Sequence, residues 1–201
     1  AGLIGALGIE HTVAPMCDTP VRTLVETDEG TLEFQRYFVE RQSAPRVQRF
    51  NYEGATTATP SSAFTDAIST PLDAIVICPS NPFISIDPML AIPGFKAALQ
   101  DTGAPVVALS PIVGGEAIKG PAAKMLDELG LPVSALGIAH HYGELLDGFV
   151  VDERDQALAK ELAPLPTAWV DSMMHDDGDK TQVARAVLRL AQELVPGGIN
   201  G

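Results

Sequence analysis

The chain has 201 residues, 46% hydrophobic and 19% charged, with a mean hydropathy of +0.15 and a formal net charge of −13. A chain of this size buries roughly 70% of its unfolded surface, so a sizeable core is within reach. The acidic balance repels nucleic-acid phosphates, no apolar run approaches the ~20 residues that span a bilayer, and two cysteines are too few for a disulfide framework, which implies a reduced, cytoplasmic protein.

Residues 1–9, A-G-L-I-G-A-L-G-I, read as the end of a helix with Gly8 as its stop. No strand precedes their glycines, so they are not a dinucleotide fingerprint. His11 to Cys17 alternates weakly, and Cys17 beside Asp18 is expected to be partly exposed. Val21 to Thr27 and Thr31 to Val39 read as strands joined by the turn Asp28-Glu29-Gly30, with a further short strand from Arg46 to Tyr52. Such a hairpin is commonly added to a parallel sheet. A helix near Ser61 to Ile68 takes Ser61 or Ser62 as its N-cap. Ala74 to Cys78 is an apolar strand in which Cys78 reads as a small buried hydrophobe. Ile84 to Gln100 holds a turn and a short helix broken by Pro88 and Pro93.

Val106 to Leu109 is wholly apolar, which suits the interior of a parallel sheet covered on both faces. A helix follows with Pro121 as its first residue and Gly130 as its stop. Val133 to Gly143 is ambiguous, Phe149 to Val151 is a short strand, Gln156 to Leu162 a short helix, and Thr167 to Val170 a last strand. From Thr181 to Leu194, the residues Val183, Val187, Leu190, Ala191 and Leu194 form one helical stripe ended by Gly197-Gly198. The alternation of elements predicts a three-layer, Rossmann-like, mostly parallel α/β sheet with the antiparallel hairpin added, in one domain.

Ligands of open parallel sheets bind beyond the carboxyl ends of the strands. Pro79 and Pro82 clamp Ser80 and Asn81 there, two residues that donate and accept, although Asn81 also suits an Asx-turn on its own backbone. After the next strand, Pro111 keeps Ser110 extended, Gly114 and Gly115 let backbone N–H groups approach a ligand, and Lys119 adds a cation. The helix behind Pro121 adds a partial positive charge, and together these describe an anion site, with phosphate the natural ligand. A glycine pair also serves simply to turn a chain.

Other polar groups read as structural. His140-His141 has no carboxylate or cysteine at metal-ligand spacing, and His175-Asp176-Asp177 suits the first turn of the last helix. Asp152-Glu153-Arg154-Asp155 reads as a solvated turn with weak ion pairs. Arg36, Arg41, Arg46 and Arg49 read as a solvated face rather than a basic patch. There is no G-x-S-x-G elbow, no Walker loop and no candidate nucleophile for a covalent mechanism.

The string S-P-I-V-G-G-E-A-I-K-G-P-A-A-K-M from Ser110 to Met125 resembles the 2-phospho-L-lactate transferase family, CofD in archaea and FbiA in actinobacteria. So do P-M-C-D-T-P-V from Pro15 to Val21, C-P-S-N-P-F-I-S-I from Cys78 to Ile86, H-Y-G from His141, F-V-V-D-E-R-D from Phe149 to Asp155, and D-S-M-M from Asp171 to Met174. The resemblance covers nearly the whole chain in the family's order. It implies a cytoplasmic transferase that joins a guanylyl-activated three-carbon acid to the ribityl hydroxyl of a deazaflavin. The products are GMP and a coenzyme F420 precursor, with Mg²⁺ as cofactor and a homodimer as the assembly. Carried over residue by residue, it puts Ser80, Asn81 and Pro82 on one ligand loop and Ser110, Pro111, Gly114, Gly115, Lys119 and Gly120 on another. Lys119 then neutralises charge on phosphoryl oxygens as the catalytic residue, and His141 lines the site.

The sequence departs from the family at its start. Family members open with a strand running into a glycine loop, then an aspartate-containing stretch assigned to the metal, then a helical segment. None of these occurs here, so the chain is expected to be the C-terminal two-thirds of a family member. It then associates with the rest and holds no metal ligands of its own. The alternative is a nucleotide or nucleotide-sugar binding module without catalysis. By this reading the pure 201-residue protein forms no product from donor and deazaflavin, and detectable turnover in that assay refutes it.

Overall fold

The computed structural model describes residues 6, 8, 10–117 and 120–195. The reading of residues 1–9 as a helix end therefore lies mostly outside the described residues. The chain first builds an antiparallel sheet from β1 (Arg22–Thr27), β2 (Gly30–Glu33) and β3 (Val47–Glu53), in the order β2-β1-β3. Thr27 pairs with Gly30 across the turn, as the acidic-glycine signal predicts. The hairpin is not added to the parallel sheet, however. β3 pairs with β1 from Arg22↔Glu53 onward and occupies its second edge, so the three strands form a sheet of their own.

The strand expected to reach Val39 stops at Glu33, and the chain winds into a wide helical turn, Arg36–Glu40. That turn buries Tyr37 completely and brings its hydroxyl to the Ser43 carbonyl at 3.2 Å. The arginines here face acids, Arg36 with Glu40 and Arg41 with Glu29, so they form ion pairs rather than a basic patch.

The helices delimited among the described residues are α1 (Ser62–Ile68), α2 (Asp87–Leu90), α3 (Phe95–Asp101), α4 (Ala122–Glu128), α5 (Ala135–Tyr142), α6 (Ala159–Leu162) and α7 (Asp177–Leu194). Ser61 caps α1 by accepting the Phe64 N–H, while its hydroxyl donates to Pro15. Cys17 lies buried beside this cap, and Cys78 is exposed. Both cysteine expectations are thus reversed, because Cys78 follows an edge strand with no neighbour on its outer side among the described residues. Pro88 sits in the first turn of α2, where its missing N–H costs nothing, so it starts a helix instead of breaking one. Pro121 is the cap before α4 rather than its first residue. The ambiguous stretch before Gly143 is α5, capped by Ser134.

The second sheet is parallel: β4 (Ile75–Ile77), β5 (Val106–Leu109), β8 (Gly148–Asp152) and β9 (Thr167–Val170), in that spatial order, with the two-stranded hairpin β6 (Ile112–Val113) and β7 (Glu116–Ala117) beyond the end of β5. Its side chains divide by parity. Val107, Leu109, Val150 and Val170 meet the Val183, Val187, Leu190 and Ala191 stripe of α7, where each buried aliphatic side chain contributes about 2 kcal/mol. Val106, Ala108, Phe149 and Val151 face the larger core with Met125 and Leu126 of α4 and Ile138 of α5. The sheet is the middle of three layers.

The antiparallel sheet joins the larger core through Val25, Leu32 and Val47, and side chains of α4 fasten it there. Lys124 Nζ donates to the Pro45 carbonyl at 3.0 Å and pairs with Glu128, whose carboxylate accepts the Val47 N–H at 2.9 Å. Beyond the far end of α4, Gly137 lies so close to the Pro132 carbonyl that an added Cβ would stand 2.0 Å from its oxygen. Gly137→Ala is therefore expected to lower stability by about 3 kcal/mol. Leu190→Ala should cost about 3 kcal/mol through the cavity it leaves under α7. Urea unfolding midpoints of the two variants check both.

Candidate functional site

Because the four strands run parallel, the segments that follow them gather on one edge of the sheet. A cleft of about 430 Å³ opens there, lined by Val113, Glu116, Ala117, Arg154, Met173 and His175. Its walls come from the β6–β7 hairpin, the turn after β8 and the segment after β9.

Asp152 organises that corner. It ends β8 fully buried, and its carboxylate accepts the Ser172 N–H and hydroxyl at 2.8 Å each, the Arg154 N–H at 2.9 Å and Arg154 Nη1 at 2.9 and 3.0 Å. Burial pushes this carboxyl up, but the backbone N–H donors, the Ser172 hydroxyl and the Arg154 charge outweigh it and hold it below the ordinary range. Arg154 Nη1 also reaches Asp171 at 3.2 Å. The ends of β8 and β9 are thereby tied together. Asp155 is buried as well and accepts the Gly114 N–H at 3.0 Å, which fastens the β6–β7 hairpin to the turn after β8. The expectation of a solvated turn over Asp152–Asp155 is corrected: the local Asp152–Arg154 ion pair is present, but Asp152 and Asp155 are interior groups that also take donors from Ser172 and Gly114.

The residues expected to bind ligand are distributed as follows. Gly114 and Gly115, at φ +59° and +81°, form the two-residue turn of the β6–β7 hairpin, where positive φ at both positions calls for glycine. The flanking Val113, Glu116 and Ala117 line the cleft. Ser110 is buried at the end of β5; its hydroxyl donates to the Ile112 carbonyl and accepts the Ile112 N–H, so it shapes the turn at Pro111. Gly120 is exposed ahead of the cap residue Pro121. Lys119 lies outside the described residues.

On the other expected loop, Asn81 caps the turn Pro82–Ile86 by accepting the Phe83 N–H, and its amide N–H lies 3.1 Å from the Met125 sulfur. The Asx-turn reading is the one its side-chain oxygen follows. Pro82 and Ser80 flank it, and none of the three lines the cleft. His141 belongs to a separate cluster. Its Nε2 donates to Asp87 at 2.8 Å, and the ring meets Phe83 edge-on. Tyr52 donates to the Phe83 carbonyl at 2.6 Å and stands 3.3 Å from Asp87. Burial first, then the Asp87 charge and its hydrogen bond, push the Tyr52 hydroxyl well above the ordinary tyrosine range; burial and Asp87 do the same to Tyr142. Among the described residues no three His, Cys, Asp or Glu side chains converge to hold a metal ion.

Sequence reasoning missed Asp87, Tyr52, Asp152, Asp155 and Ser172 as members of these clusters. One signal pointed to the Asp152 group: D-E-R-D stands at the end of one parallel strand and D-S-M-M follows the next, so their polar residues share an edge.

A sequence profile described as 2-phospho-L-lactate transferase CofD matches residues 2–190. The chain belongs to this family. It is 39% identical over 192 residues to a 2-phospho-L-lactate transferase of Methanopyrus kandleri, covering 94% of this chain and 60% of that protein. It is likewise 39% identical over 187 residues to a phosphoenolpyruvate transferase of Streptomyces griseus, covering 90% of this chain and 58% of that one. The chain thus spans about 60% of the length of these curated relatives. A crystal structure of a UPF0052 family member from Bacillus halodurans superposes with a TM-score of 0.56 at 17% identity, over 91% of this chain and 64% of that one, and shares the fold. The segments that follow β5, β8 and β9 lie within the matched range and meet at the cleft.

The Asp152 group carries a pH dependence of definite sign. Its folded value lies below the unfolded value near 4, so its stabilisation is complete above about pH 4 and is lost as the pH falls through the lowered folded value. Ser172→Ala removes one donor from a buried carboxylate. It is expected to cost about 2 kcal/mol at pH 7 and to move the acid unfolding midpoint upward in pH, as followed by circular dichroism.

Proposed function

We propose that this chain, joined to the remaining part of the family's chain and inactive without it, acts in coenzyme F420 biosynthesis, moving a phospholactyl or phosphoenolpyruvyl group from a guanylyl-diphospho donor to the ribityl hydroxyl of 7,8-didemethyl-8-hydroxy-5-deazariboflavin. The ribityl oxygen forms a bond to the phosphorus next to the three-carbon acid, the bond from that phosphorus to GMP breaks, and the hydroxyl proton leaves. Such a transfer requires positioning and charge neutralisation more than a protein nucleophile.

Family membership supports the reaction class. The observation that carries the site is the convergence of three family segments on one cleft at the carboxyl edge of the parallel sheet. In this reading the β6–β7 hairpin presents the chain leading to Lys119, whose ammonium neutralises phosphoryl oxygens. Asp155 holds the hairpin tip, and Ser110 fixes the turn that launches it. Mg²⁺ supplies further charge neutralisation in reactions of this class, but a donor set for it is not found among the described residues.

Calorimetric titration tests the reading. The protein is expected to bind GDP and to ignore UDP-sugars, with Lys119→Ala weakening GDP about tenfold. Preference for a UDP-sugar moves the protein to a nucleotide-sugar binding module, and binding of neither overturns the transferase assignment.

A further inference from the structure

Arg154 stands out as a side chain prepared for a ligand. Its guanidinium is half exposed and lines the cleft, yet it is backed by a fully buried carboxylate whose geometry is fixed from the other side by both Ser172 donors. Burying a carboxylate is costly, and Asp152 meets that cost through Ser172 and the arginine it holds. Both aspartates take the same nitrogen, Nη1, at 2.9 to 3.2 Å. Among the described residues, the Nε and Nη2 edge of the guanidinium makes no hydrogen bond to a side chain or a carbonyl. That edge is a planar two-donor fork, matched to the paired oxygens of a carboxylate or phosphoryl group.

We propose that Arg154 is the oxyanion-reading residue of the cleft, with Asp152 as the positioning residue that aims it. The inference rests on the transferase reading above. The cleft sets the kind of oxyanion. Val113, Ala117 and Met173 give it apolar walls, and the Glu116 carboxylate, which lines it with His175, repels a ligand of high negative charge. Asp152 and Asp171 together offset the charge of Arg154, so recognition depends on the direction of the fork more than on a positive field. A pair of oxyanion oxygens carried beside a short apolar carbon chain meets these conditions. In the proposed donor that chemistry has two sources, the carboxylate of the three-carbon acid and the diphosphate oxygens.

Calorimetry with GDP and with 2-phospho-L-lactate as probes separates them, using wild type, Arg154→Lys and Arg154→Gln. Lysine keeps the charge next to Asp152 and removes the fork. Both variants are expected to weaken at least one probe about tenfold or more, with lysine failing to rescue. Loss for 2-phospho-L-lactate alone assigns the fork to the end of the donor that carries the three-carbon acid; loss for GDP, alone or with the other probe, assigns it to the diphosphate oxygens. The Nε–H resonance of Arg154, followed by NMR, should shift on adding the affected probe, which a purely structural brace would not show. If wild type binds GDP and the variants bind both probes as tightly, the Arg154 assignment falls and the transferase reading stands. If wild type binds neither probe, both fall. Arg154→Lys, which retains the ion pair, is the variant to trust should Arg154→Gln lower the thermal midpoint.

Discussion

A strand covered on both faces has no room for polar side chains along its length, and that restriction shapes this protein. All four residues of β5 and all five of β8 are buried, with alternate side chains assigned to two separate cores. The polar groups that a ligand needs are displaced to the strand ends, and the parallel arrangement sends them all to one side. The same burial makes those ends demanding. Ser110 and Asp152 emerge from the sheet with almost no solvent to satisfy them, so each is bound completely by protein groups. These polar groups at the edge are held in place by protein partners, which is a favourable condition for positioning.

Where burial dictates composition, the sequence was readable. Val106–Leu109 and Thr167–Val170 stand at the bounds their apolar runs suggest, the stripe from Val183 to Leu194 faces the sheet, and Ser61 caps its helix. Most of the failures come from contacts that no periodicity announces. The alternation through Phe34 and Phe38 looks like a strand, and only the burial of Tyr37 against Ser43 winds it into a helical turn. Asp152 and Asp155 look like surface charge until Ser172 and Gly114 are brought to them. The glycine pair was legible as a turn or a ligand loop but not as a hairpin, because two-residue strands carry no measurable periodicity. Asn81 was the reverse case, since a local Asx-turn can be anticipated from its neighbours alone.

Charge is distributed to the same end. A net charge of −13 opposes anionic ligands at long range, but screening limits that opposition to about 8 Å at physiological salt. What a ligand meets at contact is the arrangement of individual groups around the cleft. Elsewhere the arginines near the antiparallel sheet are matched by glutamates on the surface, where such pairs add little. The buried pairing of Asp152 belongs to another regime, in which loss of one partner strands the other.

The join between the two sheets has a different kind of robustness. Lys124 and Glu128 grip the Pro45 carbonyl and the Val47 N–H, both main-chain groups. Every residue has a carbonyl and all but proline have an N–H, so these two bonds do not depend on which side chains stand at those positions, while the buried Val47 side chain anchors the inner face of β3 in the core. The outer face of the antiparallel sheet is consequently free to drift through evolution, or to be redesigned, without loosening its attachment to the layer that holds the cleft.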